Sequence, residues 1–68
     1  MIKSIVILGA GESGTGAAIL AHAKGYDVFV SDQSLIKEKY KQELEAHGIA
    51  YEEQKHTLEK VLNASLII

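Results

Sequence analysis

Between residues 5 and 16 the chain reads IVILGAGESGTG, with glycines at positions 9, 11, 14 and 16 directly after four apolar residues. Glycine in such numbers weakens a regular element, so its presence calls for a reason of its own. Gly9-Ala10-Gly11-Glu12-Ser13-Gly14 matches the pattern Gly-x-Gly-x-x-Gly. Its spacing suits a diphosphate. Gly9 allows a tight turn, Gly11 lets a phosphate approach the backbone, and Gly14 lets a following helix pack closely. The N–H groups of the first helical turn then face an anion, helped by the helix dipole. Ser13 is placed to cap that helix or to donate its hydroxyl to a phosphate. Glu12 suits this role only if its side chain turns to solvent and its backbone N–H faces the ligand. The same glycines also satisfy a plain strand-to-helix turn without a ligand.

Asp32 is the second candidate. It lies about 20 residues beyond the glycines, where an acidic side chain accepts hydrogen bonds from ribose hydroxyls or from a base N–H. As an alternative it is a turn or capping residue. The stretch is not a P-loop, because no Lys-Ser/Thr follows the last glycine. No nucleophile-and-base pair or carboxylate dyad is visible, so the catalytic set is expected to be empty in this stretch. His22, His47 and His56 lie far apart, and there is no cysteine. A structural zinc site and disulfides are therefore not expected. His22 reads as a packed or surface helix residue, and His47 as a complement to a helix C-terminus. Tyr26, Tyr40 and Tyr51 are too scattered for a base-stacking platform.

The elements that must hold these residues follow from the pattern. Lys3 to Leu8 reads as a strand, apolar throughout its centre as in a parallel strand covered on both faces. A helix is expected from near Ser13 to Lys24, rich in alanine and closed by Gly25. Asp27 to Ser31 reads as a second strand ending at Asp32. Ser34 is expected to cap a second helix, Leu35 to His47, with Gly48 beyond its end. Glu38 and Glu43 are expected to pair with neighbouring lysines. Residues 49–51 read as a short third strand, Thr57 as the cap of a short helix from Leu58 to Leu62, and Ser65 to Ile68 as a fourth strand. The order βαβαβ(α)β implies an α/β fold, a Rossmann-like parallel sheet with right-handed crossovers.

The chain has 68 residues, about half a usual domain. A net charge of −2, with lysines mixed among glutamates, argues against nucleic acid as a partner. No apolar run approaches the length of a membrane span. The beginning of the chain lacks the features of a signal peptide, so a cytoplasmic location is expected. Because Ser65 to Ile68 ends in a strand, the chain is expected to be the N-terminal part of something longer.

The stretch IVILGAGESGTGAAILAHAKGYDVFVSDQS resembles the N-terminal domain of the Mur ligases. The resemblance rests on the Gly-x-Gly-x-Ser-Gly loop, the alanine-rich helix, the strand ending in Ser31-Asp32 and the closing NASLII. It covers essentially the whole chain but only the first of the family's three domains. It implies that residues 1–68 are a truncated Rossmann-like domain that binds a UDP substrate, with ATP-binding and C-terminal domains lying beyond it. The activity implied is the ATP- and Mg2+-dependent joining of D-glutamate to UDP-N-acetylmuramoyl-L-alanine in peptidoglycan synthesis, with no nucleic-acid or membrane partner. By position, Gly9, Gly11, Glu12, Ser13 and Gly14 would meet the diphosphate region, and Asp32 and Gln33 the uracil edge. The family often has a threonine and a basic residue after this aspartate, where this chain has Gln33 and Ser34. A competing expectation is an NAD(H)-binding domain of a dehydrogenase or nucleotide-sensing module, which uses the same loop and the same acidic position.

Overall fold

The computed structural model describes residues 3–68. Four strands alternate with three helices: β1 (Ser4–Leu8), α1 (Glu12–Ala23), β2 (Asp27–Ser31), α2 (Glu38–Ala46), β3 (Ala50–Glu52), α3 (Leu58–Leu62) and β4 (Leu66–Ile67). All strand pairings are parallel, in the order β3-β2-β1-β4. This is the α/β Rossmann-like arrangement expected from the sequence. β1 and β2 align in full, Ser4 beside Asp27 through Leu8 beside Ser31. Their carboxyl ends therefore finish level, with the glycine turn directly above.

The sheet has two unequal faces, because successive side chains point to opposite sides. Ile5, Ile7, Val28 and Val30 form the core with Ala18, Ile36, Leu44 and Ile49, beneath α1 and α2. Val6 points the other way and is 3% exposed. On that second face lies α3, a helix of five residues none of which is buried, whose Lys60 Nζ sits 4.2 Å from the centre of the Phe29 ring. Leu8 is 45% exposed, so the two-sided burial expected for β1 stops one residue short of its end.

Several boundaries differ from the sequence expectation, each for a local reason. β1 starts at Ser4, with the carbonyl of Lys3 accepting the Asp27 N–H from just outside it. α1 starts at Glu12, so its N-cap is Gly11 and Ser13 lies inside the first turn without capping it. Lys24 is the C-cap, and Gly25 follows with φ +93°. α2 starts three residues later than expected, with Lys37 and not Ser34 at its N-cap. The backbone before it is held elsewhere. The Ser34 N–H donates to Asp32 Oδ1, and the Ile36 N–H donates to Glu53 Oε1 at 2.9 Å. Ile36 points into the core while Leu35 is left exposed. α2 ends at Ala46, with His47 as its C-cap.

Glu38 and Glu43 form no close ion pair among the described residues; Lys41 instead reaches across to Glu53 at 2.8 Å. That pairing holds the Glu53 carboxyl below its usual value and raises the Lys41 ammonium. β3 runs one residue later than expected and so includes Glu52. Its Tyr51 hydroxyl donates to Glu45 on α2, which pushes the phenol up to about 12. β4 is limited to Leu66–Ile67, although the ladder continues through Ile68: its N–H donates to the Val6 carbonyl, and its carbonyl accepts the Leu8 N–H, both at 2.8 Å.

Candidate functional site at the glycine turn

The glycine turn leaves β1 at Gly9, whose φ of +103° is closed to most side chains. The Gly9 N–H continues the ladder to the Ser31 carbonyl at 2.8 Å, and the chain then reverses into α1. Gly14 is required by packing: a Cβ there would lie 1.9 Å from the Gly9 carbonyl oxygen. Helix and turn therefore touch backbone to backbone.

Gly11 is a different case. A Cβ there would meet no atom within 4 Å, so the space above it is open. A helix leaves its first N–H groups without intrahelical partners. Among the described residues, no acceptor meets the N–H groups of Gly11, Glu12, Ser13 or Gly14; the first amide of the turn to close back is Thr15, onto the Gly11 carbonyl. Gly11, Glu12 and Ser13 are all exposed. The unpaired amides line a cleft of about 590 Å³, together with Ile7, Leu8, Ala17 and Ile68. The cleft lies where β1 is flanked by β2 on one side and β4 on the other. The strand order reverses at that point, and ligands of open α/β sheets bind at such reversals. Among the described residues a second groove, of about 350 Å³, lies at the opposite end of the sheet beside Ser4, Asp27 and Lys60, and it contains none of the candidate residues.

Asp32 stands at the carboxyl end of β2, half-buried. Its Oδ2 accepts the Ala10 N–H at 2.7 Å, and its Oδ1 accepts the Ser34 N–H at 2.8 Å. Asp32 and the glycine turn are thus brought together directly. Gln33 is exposed in the following turn, with no side-chain partner among the described residues. A carboxylate has about four acceptor positions, so Asp32 keeps lone pairs for a further donor.

Sequence reasoning missed the polar cluster beneath Asp32. Glu52, 9% exposed, accepts the Ser31 hydroxyl at 2.8 Å and the Thr57 N–H at 2.6 Å, and it also receives the Thr57 hydroxyl. Thr57 does occupy the N-cap of α3, but its hydroxyl is spent on Glu52 and not on the helix. Burial disfavours the ionised Glu52, yet the bonds from Thr57 and Ser31 outweigh it and hold the carboxyl below its usual value. Ser31 Oγ also lies 3.1 Å from the Lys55 carbonyl and 2.5 Å from His56 Nδ1. A hydroxyl has one proton, and both Glu52 and the Lys55 carbonyl are acceptors. The Ser31 hydroxyl therefore serves one of these acceptors at a time, and it also touches His56 Nδ1. Only an acidic residue in an otherwise apolar strand position could have signalled this cluster from the sequence.

Fold and site together define a Rossmann-like α/β unit, with a parallel sheet, a glycine turn offering bare amides and an acidic residue at the end of the second strand. Comparison with known proteins narrows this class. The family model for the MurD N-terminal domain matches residues 4–68. The chain is 60% identical over 67 residues to the UDP-N-acetylmuramoylalanine–D-glutamate ligase of Bacteroides fragilis, covering 98% of this chain and 15% of that one. It is 57% identical over 68 residues to the ligase of the same name from Cytophaga hutchinsonii, covering 100% of this chain and 15% of the relative. A relative from Chlorobium phaeobacteroides, also of that name, is 39% identical over 66 residues, covering 97% of this chain and 14% of its own. The chain belongs to the MurD N-terminal domain family. It spans about 15% of the length of the curated relatives it matches.

Proposed function

We propose that this chain is the UDP-binding part of a ligase that adds D-glutamate to UDP-N-acetylmuramoyl-L-alanine during peptidoglycan synthesis in the cytoplasm. The observation that carries the reading is the row of unpaired N–H groups from Gly11 to Gly14 under open space. Such a row suits a diphosphate, whose oxygens accept several hydrogen bonds and whose charge is favoured by the positive end of α1. The exposed Ser13 can add its hydroxyl, while Glu12 contributes its amide with its side chain turned to water. Asp32 and Gln33 lie on the β2 side of the turn, where the nucleoside would extend. Among the described residues, no helix is long and apolar enough to cross a membrane.

ATP and Mg2+ do not fit the residues present here. The turn lacks the lysine of a P-loop. Among the described residues no three histidine, cysteine, aspartate or glutamate side chains converge to hold a metal. The ATP-dependent chemistry is therefore assigned to the part of the ligase beyond this chain, and this segment holds the substrate without catalysing its reaction.

Calorimetric titration of the full-length protein tests this reading. Saturable binding of UDP-N-acetylmuramoyl-L-alanine, weakened by Gly11→Val, is expected. Tight binding of NADH with no response to the UDP substrate would overturn it in favour of a dehydrogenase or nucleotide-sensing domain.

A further inference from the structure

Asp32 does more than face a ligand, because the main chain already uses its carboxylate. One oxygen holds the Ala10 N–H at 2.7 Å and the other holds the Ser34 N–H at 2.8 Å. Its own N–H donates to the Glu52 carbonyl at 3.0 Å, and its carbonyl accepts the Lys55 N–H at 3.2 Å. One residue thus ties three segments together: the glycine turn, the turn after β2 and the segment following β3. Ala10 is 2% exposed, so in the folded chain the carboxylate is the partner its amide meets. The Ala10 carbonyl is engaged as well, by the Thr15 hydroxyl at 3.4 Å.

We propose that Asp32 is the positioning residue of the glycine turn, acting on the diphosphate through Ala10. The proposal rests on the reading that the turn takes a diphosphate. Fixing the Ala10 N–H fixes the plane of the peptide that joins Gly9 to Ala10. Gly9, at φ +103°, is otherwise the freest joint in the turn. With that plane set and Gly14 pressed against Gly9, the amides from Gly11 to Gly14 are directed into the cleft before any ligand arrives. This preorganisation lowers the ordering cost of binding. An aspartate serving only a nucleoside would leave the turn indifferent to its loss.

The test uses the full-length protein with Asp32→Asn, which keeps the side chain's shape but sets an NH2 group against one of the two backbone N–H groups. Asp32→Ala serves as a second variant, and thermal melting identifies a variant that does not fold. Hydrogen exchange is followed in the peptide covering residues 9–14, and binding of UDP and of uridine is titrated separately. The positioning role predicts faster exchange in that peptide and a loss of UDP affinity of about tenfold, with a smaller loss for uridine. It also predicts a rise in KM for the UDP substrate with kcat nearly unchanged. Unchanged exchange in the peptide, or equal losses for UDP and uridine, would overturn it and leave a nucleoside contact alone. Failure of the underlying diphosphate reading is seen separately, as wild-type protein that does not bind UDP, and the proposal then falls with it.

Discussion

Gly14→Ala isolates the packing half of the glycine turn. The added Cβ would sit 1.9 Å from the Gly9 carbonyl oxygen and 3.4 Å from Ile7 Cγ2. The first contact is backbone and cannot rotate away. Ordinary contact begins near the second of these distances, so α1 must move off the turn by about 1.5 Å, the gap between 1.9 and 3.4 Å. Such a shift loosens Ala18 and Thr15, both buried, from β1. Overpacking costs about 1–3 kcal/mol, and a clash with fixed backbone falls at the upper end, about 2–3 kcal/mol. Alanine recovers part of that, because it favours a helix interior over glycine by roughly 1 kcal/mol. The net loss expected is about 1–2 kcal/mol, or roughly 4–16 °C in melting temperature for a domain this small. Thermal melting followed by far-UV circular dichroism, with Gly16→Ala beside it, measures the effect. A Cβ at Gly16 meets nothing within 4 Å, so that control should gain stability from the same change in helix propensity. A Gly14→Ala protein as stable as wild type would refute the backbone-to-backbone contact.

Gly11→Val tests the open half of the turn: its side chain enters free space, so the fold should persist with about 1 kcal/mol lost from the helix cap, while substrate titration should show binding abolished. Ser31→Ala removes the hydroxyl that Glu52 and His56 share, and a urea melt should show a loss of about 1–3 kcal/mol. The Glu52 and Glu53 carboxyls are held below their usual value of 4.5 in the folded chain. Their contribution is therefore complete above that value and is lost as pH falls through the lower folded values, so the urea midpoint should drop on acidification below about pH 4.5. Glu52→Gln should flatten part of that drop; an unchanged acid limb would show that Glu52 is not involved.

The sheet and the glycine turn were legible in the sequence because both depend on local spacing. The unbroken apolar run of β1, the alanines of α1 and the glycines at 9, 11 and 14 each report on neighbours within one element. What escaped depends on residues far apart in the chain. The late start of α2 follows from Glu53 and Asp32 capturing the N–H groups of Ile36 and Ser34. The grip of Asp32 on Ala10 spans 22 positions, and that of Glu52 on Ser31 spans 21. Such bonds exist only once β1, β2 and β3 lie side by side, and no periodicity announces them. The capping role offered for Ser13 fails because Gly11 holds the N-cap and Ser13 lies two positions further into the helix.

The central claim concerns where a uridine diphosphate rests on this fold. A crystal structure of the full-length protein with UDP-N-acetylmuramoyl-L-alanine measures it directly. The account predicts diphosphate oxygens within about 3 Å of the N–H groups of Gly11, Glu12 or Ser13, with Ala10 still bonded to Asp32. Diphosphate density away from the turn between β1 and α1 would contradict it.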